Sequence, residues 1–352
     1  MIKKIRLKTV WNTAILTLIY MCFSTVLSPF DINFVGIFGN IIGKNAAASE
    51  CDRRYVIPSG KPFGIKVLSD GVMVISTEDG SPARKAGLKA GDVITSVNGA
   101  EVSSNEELAA AIQCSDNCAD IVFRRGESDI SASITPTISY GVPKIGAWVR
   151  DSAAGIGTLT FIDPQTGTFG GLGHAVNDIT TSEPVPLKSG EITAACINDV
   201  VKGEKGCAGE LCGAISAETD MGEVLLNTST GVFGKYNREI NGDPVPVAFI
   251  DEVKTGSAVI LATVDGSEPR EYTIEIERIN FPDMFGSKGM LIRITDPELL
   301  DKTGGIVRGM SGSPIIQDGY FAGAVTHVLV SDPTRGYAVL AESMLNGGST
   351  IL

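Results

Sequence analysis

Short apolar runs, separated by glycine, proline, aspartate and asparagine, dominate the second part of this sequence. No long amphipathic helical pattern interrupts them between residues 137 and 352, and each run has the length of one strand. The runs cover residues 156–162, 245–250, 258–264, 272–276, 290–294 and 321–330. Many short strands with frequent turns are typical of antiparallel barrels and sandwiches. We therefore predict a mainly β domain over residues 137–352, with a length that suits a double barrel.

Residues 60–136 have a mixed pattern, in which short strands alternate with two helical segments. The runs 63–67 and 72–76 read as strands, and Asn105 can cap a helix over residues 106–113. Pro82 suits the first turn of a shorter helix. The order of four segments closely resembles a PDZ domain: Ser81-Pro82-Ala83, Ala86-Gly87-Leu88, Gly91-Asp92 and Val97-Asn98-Gly99.

A PDZ domain implies a peptide-binding groove, because these domains add an extended chain as a strand beside one of their own edges. We expect the strand around Phe63, Gly64 and Ile65 to form this groove together with the helix that starts near Glu106. The alternative is that the domain serves only as a packing partner for its neighbour.

The N-terminus differs from the rest of the chain. Four cations precede an uncharged run over residues 9–30, which at about 1.5 Å per residue just crosses a bilayer as a helix. The positive flank places the N-terminus in the cytoplasm and the remainder outside. Since the small-residue site Ala46-Ala47-Ala48 lies well beyond the run, we expect an uncleaved signal-anchor over residues 1–30. Residues 31–59 then read as a linker.

Composition narrows the function classes. The formal net charge of -12, without a basic run past the N-terminus, argues against a nucleic-acid binder. The seven cysteines include two closely spaced pairs, Cys114 with Cys118 and Cys207 with Cys212, for which short-loop disulfides and free thiols are both open. Neither pair is Cys-x-x-Cys and no histidine lies near them, so we expect neither a metal site nor another cofactor.

The stretch from Gly309 to Pro314 carries the clearest chemistry. Ser311 lies between small, flexible residues just before an apolar run, and the pattern Gly-x-Ser-Gly-Ser-Pro resembles the nucleophile turn of chymotrypsin-like serine peptidases. On this interpretation Ser311 attacks, and the backbone N–H groups of Gly309 and Ser311 form the oxyanion hole. Taken alone, the stretch is equally compatible with a Gly/Ser loop that leads into a strand.

A serine nucleophile needs a base, and the chain has two histidines. His174 lies in a glycine-rich turn after an apolar run, whereas His327 lies in an apolar strand where it can line the substrate groove or the core. We therefore favour His174. For the acid that orients the imidazole we favour Asp296, at the end of an alternating strand, with Asp178 and Asp251 as alternatives that spacing does not exclude.

Several short blocks follow one another along the chain: Tyr55-Val56-Ile57-Pro58, the PDZ series, Ile162-Asp163-Pro164, Gly171-Leu172-Gly173-His174, Lys202-Gly203, Gly209-Glu210-Leu211, Ile294-Thr295-Asp296-Pro297, Thr303-Gly304-Gly305-Ile306-Val307 and Gly309-Met310-Ser311-Gly312-Ser313-Pro314. In this order they resemble the stage IV sporulation protein B family, PDZ-containing serine peptidases of endospore-forming bacteria. The resemblance implies His174, Asp296 and Ser311 as the catalytic residues. Asp296 lies nearer the serine in sequence than the acid of chymotrypsin-like peptidases usually does.

The resemblance also implies a role. Members of this family cross into the space between the two forespore membranes, cleave themselves near the N-terminus and then cut stage IV sporulation protein FA, a regulator of an intramembrane protease. That protease activates the sigma-K precursor. We therefore expect a membrane-anchored or released serine endopeptidase at the outer face of the cytoplasmic membrane, with residues 31–59 as the self-cleavage region. The alternatives are a tethered PDZ binding module with an inert peptidase domain and a general envelope quality-control protease.

Overall fold

The computed structural model describes residues 53–115, 117–280, 283 and 285–352. The strands are β1 (Tyr55–Pro58), β2 (Pro62–Thr77), β3 (Val93–Val97), β4 (Ala100–Glu101), β5 (Ala119–Arg125), β6 (Ser128–Ile134), β7 (Thr137–Ser139), β8 (Val142–Lys144), β9 (Ala147–Ile162), β10 (Thr168–Gly171), β11 (Leu187–Val201), β12 (Glu210–Thr228), β13 (Gly231–Tyr236), β14 (Val245–Pro246), β15 (Gly256–Ala262), β16 (Arg270–Ile279), β17 (Met290–Ile294), β18 (Pro314–Gln317), β19 (Tyr320–Val328) and β20 (Arg335–Leu340). The helices are α1 (Pro82–Lys85), α2 (Asn105–Gln113), α3 (Pro297–Thr303) and α4 (Ala341–Gly347).

The first β-barrel is built by six strands in the spatial order β9, β10, β13, β12, β11 and β2. Because β2 also pairs with β9, this path closes into a ring. Alternate residues point inwards and form an apolar core that includes Phe63, Leu159, Phe169, Ile192 and Val232.

The second barrel closes in the order β15, β16, β17, β20, β19 and β18. Its core includes Ile260, Ile274, Ile292, Met310 and Val325. A further buried cluster contains residues of both barrels and of α4, and the rings of Phe161 and Phe321 lie 5.7 Å apart in it. The predicted mainly β fold with peptidase-like barrels is therefore confirmed.

The PDZ domain is inserted between two strands of the first barrel. The first half of β2 lies in the barrel, whereas Val72 and Met73 pair with β3 of the PDZ domain. Residues 147–150 of β9 return alongside that second half before β9 enters the barrel. The PDZ core runs from Val72 to Ile145. The structure thus shifts the predicted boundaries of 60–136, because residues 62–69 belong to the barrel and residues 137–149 complete the inserted domain.

The structure also corrects the predicted peptide-binding strand. Phe63, Gly64 and Ile65 lie in the barrel half of β2, where they pair with β9 on one edge and with β11 on the other. A strand that is hydrogen-bonded along both edges has no free backbone groups with which to add a peptide. The prediction of a groove at these three residues was therefore wrong, since the sequence pattern alone does not show which neighbours a strand has.

The predicted signal-anchor, residues 1–30, lies outside the described residues. Among the residues that are described, no helix is both long enough and apolar enough to cross a membrane. The predicted linker, residues 31–59, is only partly described, and its last part forms β1, which pairs with β9 and β14. The five cysteines within the described part of the chain, Cys114, Cys118, Cys196, Cys207 and Cys212, form no disulfides.

Candidate active site

The turn around Ser311 lies between β17 and β18 and is shaped by two glycines. Gly309 and Gly312 have φ angles of 96° and 98°, in the left-handed region that favours glycine. A Cβ atom at Gly312 would overlap the carbonyl oxygen of Thr158, so the close approach of the two barrels also requires a glycine there. The N–H of Gly312 donates to the carbonyl of Val325 at 2.8 Å, which ties the turn to β19.

Two backbone N–H groups lie in the turn beside the serine hydroxyl, that of Gly309 and that of Ser311 itself. Neighbouring N–H groups of the turn are paired, because Met310 donates to Val307 and Ser313 donates to Met310. Within the described part of the chain, the N–H groups of Gly309 and Ser311 donate no hydrogen bond. Unpaired, preorganised N–H groups beside a nucleophile are what an oxyanion hole requires.

The hydroxyl of Ser311 donates to the carbonyl oxygen of Thr326 at 2.8 Å. Thr326 lies on β19, next to His327. The hydroxyl must leave this acceptor and donate to an imidazole before the oxygen can attack a carbonyl carbon.

The loop that carries His174 begins at the end of β10 and packs directly against the serine turn. Thr158 links the two, since its N–H donates to the carbonyl of Ser311 at 3.0 Å and its carbonyl accepts from the N–H of Leu172 at 3.2 Å. Gly173 has a φ of 68°, and a Cβ atom there would lie 2.8 Å from Cγ2 of Thr326. The glycines of this loop therefore allow the histidine to approach β19 closely.

The imidazole of His174 is held in one tautomer. Its Nδ1 lies 2.7 Å from the carbonyl oxygen of Ala175, which can only accept a hydrogen bond. The proton of the neutral ring therefore lies on Nδ1, and Nε2 is left as the proton acceptor. Burial lowers the pKa of His174 below the usual 6.5, although the hydrogen bond with Ala175 acts in the opposite direction. The ring is consequently neutral near pH 7, as a general base must be.

His327 lies against His174, with ring centroids 5.1 Å apart and ring planes inclined by 39°. Burial, followed by the charges of His174 and Lys288, lowers the pKa of His327 to about 4. Nδ1 of His327 is buried and has no hydrogen-bond partner among the described residues. His327 is therefore a neutral ring that packs beside the base, and its contact with a substrate groove stays a prediction.

The structure does not bring Asp296 to His174. Asp296 is the N-cap of α3, where its carboxylate accepts from the N–H of Leu299 at 3.0 Å and from the N–H of Thr273 at 3.3 Å. The Nδ1 atom that an acid would hold is bound to Ala175 instead. The expectation that Asp296 orients the imidazole is corrected accordingly, since a carboxylate that ends a strand before a helix satisfies the helix terminus.

The two alternative acids are also engaged elsewhere. Asp178 is buried and forms an ion pair with Arg150, while its other oxygen accepts from the N–H groups of Thr180 and Thr181. Burial would raise the pKa of Asp178, but these N–H groups and Arg150 together lower it. Asp251 is exposed.

Among the described residues, no group of three or more His, Cys, Asp and Glu side chains is placed to hold a metal ion.

Three residues of the site escaped the sequence analysis: Thr158, Thr326 and Asn227. Thr158 binds the serine turn through its backbone and through its hydroxyl, which donates to the carbonyl of Gly309 at 2.8 Å. Thr326 accepts through its carbonyl, and Asn227 binds the loop after His174. Their positions depend on contacts between segments that are far apart in sequence, and no local motif marks them.

Comparison with known proteins gives two family matches. Residues 141–345 match the model described as SpoIVB peptidase S55. Residues 73–125 match a PDZ domain model. The first match covers more than half of the chain and includes both His174 and Ser311.

Curated relatives are similar over shorter stretches. A probable periplasmic DegP-like serine endoprotease from Brucella suis is 31% identical over 170 residues, which is 44% of this chain and 32% of the relative. The serine protease HTRA1 of Xenopus tropicalis is 37% identical over 68 residues, or 19% of this chain and 15% of the relative. The chain thus spans about a third or less of the length of these relatives.

Two solved structures are also similar to parts of the chain. The active form of the Rv3671c protease from M. tuberculosis is 15% identical, with 56% of this chain and 74% of that chain covered and a TM-score of 0.35. The PDZ domain of an SdrC-like protein from Listeria monocytogenes is 32% identical, with 24% of this chain and 90% of that chain covered and a TM-score of 0.22.

Proposed function

The chain belongs to the SpoIVB peptidase S55 family of serine peptidases, and from this premise we propose that it is an endopeptidase in which Ser311 is the nucleophile and His174 the base. The single observation that carries this assignment is the pair of unpaired N–H groups, those of Gly309 and Ser311, beside the serine hydroxyl. They form an oxyanion site next to a histidine whose Nε2 is free to take a proton.

The reaction follows from these groups. The hydroxyl of Ser311 leaves Thr326 and gives its proton to Nε2 of His174, while its oxygen bonds to the peptide carbonyl carbon. The carbonyl oxygen gains negative charge and accepts from the N–H groups of Gly309 and Ser311. The C–N bond then breaks, and the amine leaves with the proton from Nε2. A water molecule hydrolyses the acyl-enzyme through the same two steps and regenerates the serine.

The test uses two serines of the same turn. A serine-directed phosphonate should label the wild-type protein and Ser313→Ala, but not Ser311→Ala. Ser313 is the matched control, because it is buried in the same turn and its hydroxyl makes no hydrogen bond with any described residue. Peptide cleavage should fall by several orders of magnitude in Ser311→Ala. Equal cleavage by Ser311→Ala and wild-type protein would contradict the assignment.

For the biological role we propose sporulation signalling. The protein would be anchored by residues 1–30, cleave itself within residues 31–59 and cut a membrane regulator of the stage IV sporulation protein FA type, so that the sigma-K precursor is processed. The description of the matching family supports this proposal. N-terminal sequencing of the mature protein, wild type beside Ser311→Ala, tests self-cleavage, since only the wild-type chain should begin within residues 31–59.

The similarity to the DegP-like endoprotease favours a second candidate, a general quality-control protease of the envelope. The two candidates differ in substrate breadth. A panel of unfolded proteins should stay intact if the enzyme is a dedicated signalling peptidase, whereas broad degradation would support the second candidate.

A further inference from the structure

A single amide side chain is attached to the loop behind His174. Asn227 lies at the end of β12, in the first barrel. Its Oδ1 accepts from the N–H of Val176 at 2.8 Å, and its Nδ2 donates to the carbonyls of Val176 at 3.0 Å and of Val185 at 2.9 Å. Asn227 therefore closes the loop that begins at His174 and returns to β11.

The contact between Asn227 and the histidine passes through one peptide group. The carbonyl that accepts from Nδ1 of His174 belongs to Ala175, and the N–H that donates to Oδ1 of Asn227 belongs to Val176. These two groups are part of the same planar peptide unit. Imidazole, peptide and amide thus form a continuous chain of hydrogen bonds, in which each bond polarises the next.

The chemistry of this position requires an amide. Asn227 accepts one hydrogen bond and donates two, which matches one N–H and two carbonyl oxygens. An aspartate of the same shape only accepts when it is ionised, so it would face both carbonyl oxygens without a donor. None of the three candidate acids makes this contact with the Ala175–Val176 peptide. Asp296 caps α3, Asp178 pairs with Arg150, and Asp251 is exposed.

We propose that Asn227 is the positioning residue of this site and that it orients His174 through the Ala175–Val176 peptide, in the place of a carboxylate. This inference rests on the proposed function, since it concerns the base of that reaction. It assigns to a neutral amide, on the strand before β13, the orientation of the imidazole that a triad acid provides in other serine peptidases.

The test compares Asn227→Asp and Asn227→Ala with Asn237→Ala. Asn237 follows β13 and donates to Asp220, away from the histidine loop, so its variant controls for the loss of an asparagine on the same pair of strands. The measurements are kcat, KM and the pH dependence of phosphonate labelling, with the Tm of each protein as a check of folding.

We expect both Asn227 variants to lower kcat by about 100-fold with KM largely unchanged, because a misoriented base affects the chemical step. In Asn227→Asp, the acidic limb of the labelling profile should also move to higher pH, because a new carboxylate stabilises the imidazolium form. If Asn227 had only a structural role, its variants would have a lower Tm but the same acidic limb of the labelling profile. Asn237→Ala should retain the wild-type kcat and limb.

Two results would overturn the inference. One is an unchanged kcat and limb in both Asn227 variants. The other is an acidic limb of the labelling profile that moves to lower pH in Asp296→Asn but stays at its wild-type position in both Asn227 variants. Asp296, rather than Asn227, would then orient the base. If the wild-type protein itself fails to react with the phosphonate, the proposed function fails first, and the two failures are therefore distinguishable.

Discussion

At the scale of single residues, the site works because a histidine is kept neutral without a charged partner. The carbonyl of Ala175 fixes the proton on Nδ1, and burial disfavours the imidazolium form of His174. A carboxylate beside the ring would favour the charged form. The absence of such a contact among the described residues means that the base stays available at lower pH than an ordinary histidine.

This arrangement predicts the pH dependence of catalysis. His174 accepts a proton only when it is neutral, and its pKa in the folded protein lies below the usual 6.5. The acidic limb of kcat/KM should therefore lie below pH 6.5. The measurement is kcat/KM for a peptide substrate at constant ionic strength. An acidic limb above pH 6.5 would contradict the prediction that the base is His174 with a lowered pKa.

Two substitutions of His327 test whether burial is the cause of the lowered pKa of His174. Its ring covers one side of His174, and its own pKa of about 4 keeps it uncharged throughout the relevant range. His327→Ala should expose His174 to water and move the acidic limb of kcat/KM to higher pH, because desolvation is the main cause of the lowered pKa. His327→Phe keeps a ring in the same place and should leave the limb unchanged.

Ser311 and His174 could be predicted from the sequence because glycines mark the turns that expose them: Gly309 and Gly312 around Ser311, and Gly171 and Gly173 just before His174. Asn227 and Thr326 could not, because Asn227 lies near the end of a strand without a local motif and Thr326 contributes its backbone carbonyl, a group that every residue carries. Asp296 was assigned incorrectly for a related reason. An aspartate before proline at the end of a strand reads equally well as a catalytic acid and as a helix cap.

At the scale of secondary structure, β2 shows what the hydrophobic pattern cannot specify. The apolar pattern predicts two short strands here, but Gly71, with a φ of 108°, carries the chain through an irregularity in one continuous strand. Asp70-Gly71 is also a common turn signal. Because this strand continues from the barrel into the inserted domain, the predicted domain boundary and the predicted peptide groove were both displaced.

The cap of α3 gives a prediction at this scale. Asp296 accepts from the N–H of Leu299, so Asp296→Ala should lower the free energy of unfolding by about 1 kcal/mol. Asp296→Asn should retain most of that stability, because asparagine caps helices about as well as aspartate. Chemical denaturation of the two variants measures the difference. Equal stability of the alanine variant and the wild-type protein would show that the cap contributes nothing.

At the scale of the whole molecule, the histidine loop connects the catalytic site with the PDZ domain. Arg150, in the part of β9 that pairs with the PDZ half of β2, forms the ion pair with buried Asp178. The hydroxyl of Thr181 contacts the sulfur of Met73 in that same half. The loop between β10 and β11 is therefore held on one side by Asn227 in the barrel and on the other by the inserted domain.

This second attachment predicts an effect on the loop at a distance from the chemistry. Arg150→Met removes the partner of buried Asp178, which keeps its bonds from Thr180 and Thr181. Breaking a fully buried pair costs about 3–5 kcal/mol, but Arg150 is partly exposed, so we expect a loss of about 1–2 kcal/mol in the free energy of unfolding. Hydrogen exchange should become faster within residues 172–186, and phosphonate labelling of Ser311 should slow.

Two further variants separate this effect from a general loss of charge. Within the described part of the chain, the ion pairs of Arg124 are those with exposed Asp70 and Asp129. Arg124→Met should therefore change the free energy of unfolding by less than about 1 kcal/mol and leave hydrogen exchange in the loop unchanged. Adding Asp178→Asn to Arg150→Met removes the unpaired charge and should restore part of the lost stability. If Arg150→Met and Arg124→Met behave alike, the PDZ domain does not hold the histidine loop through this ion pair.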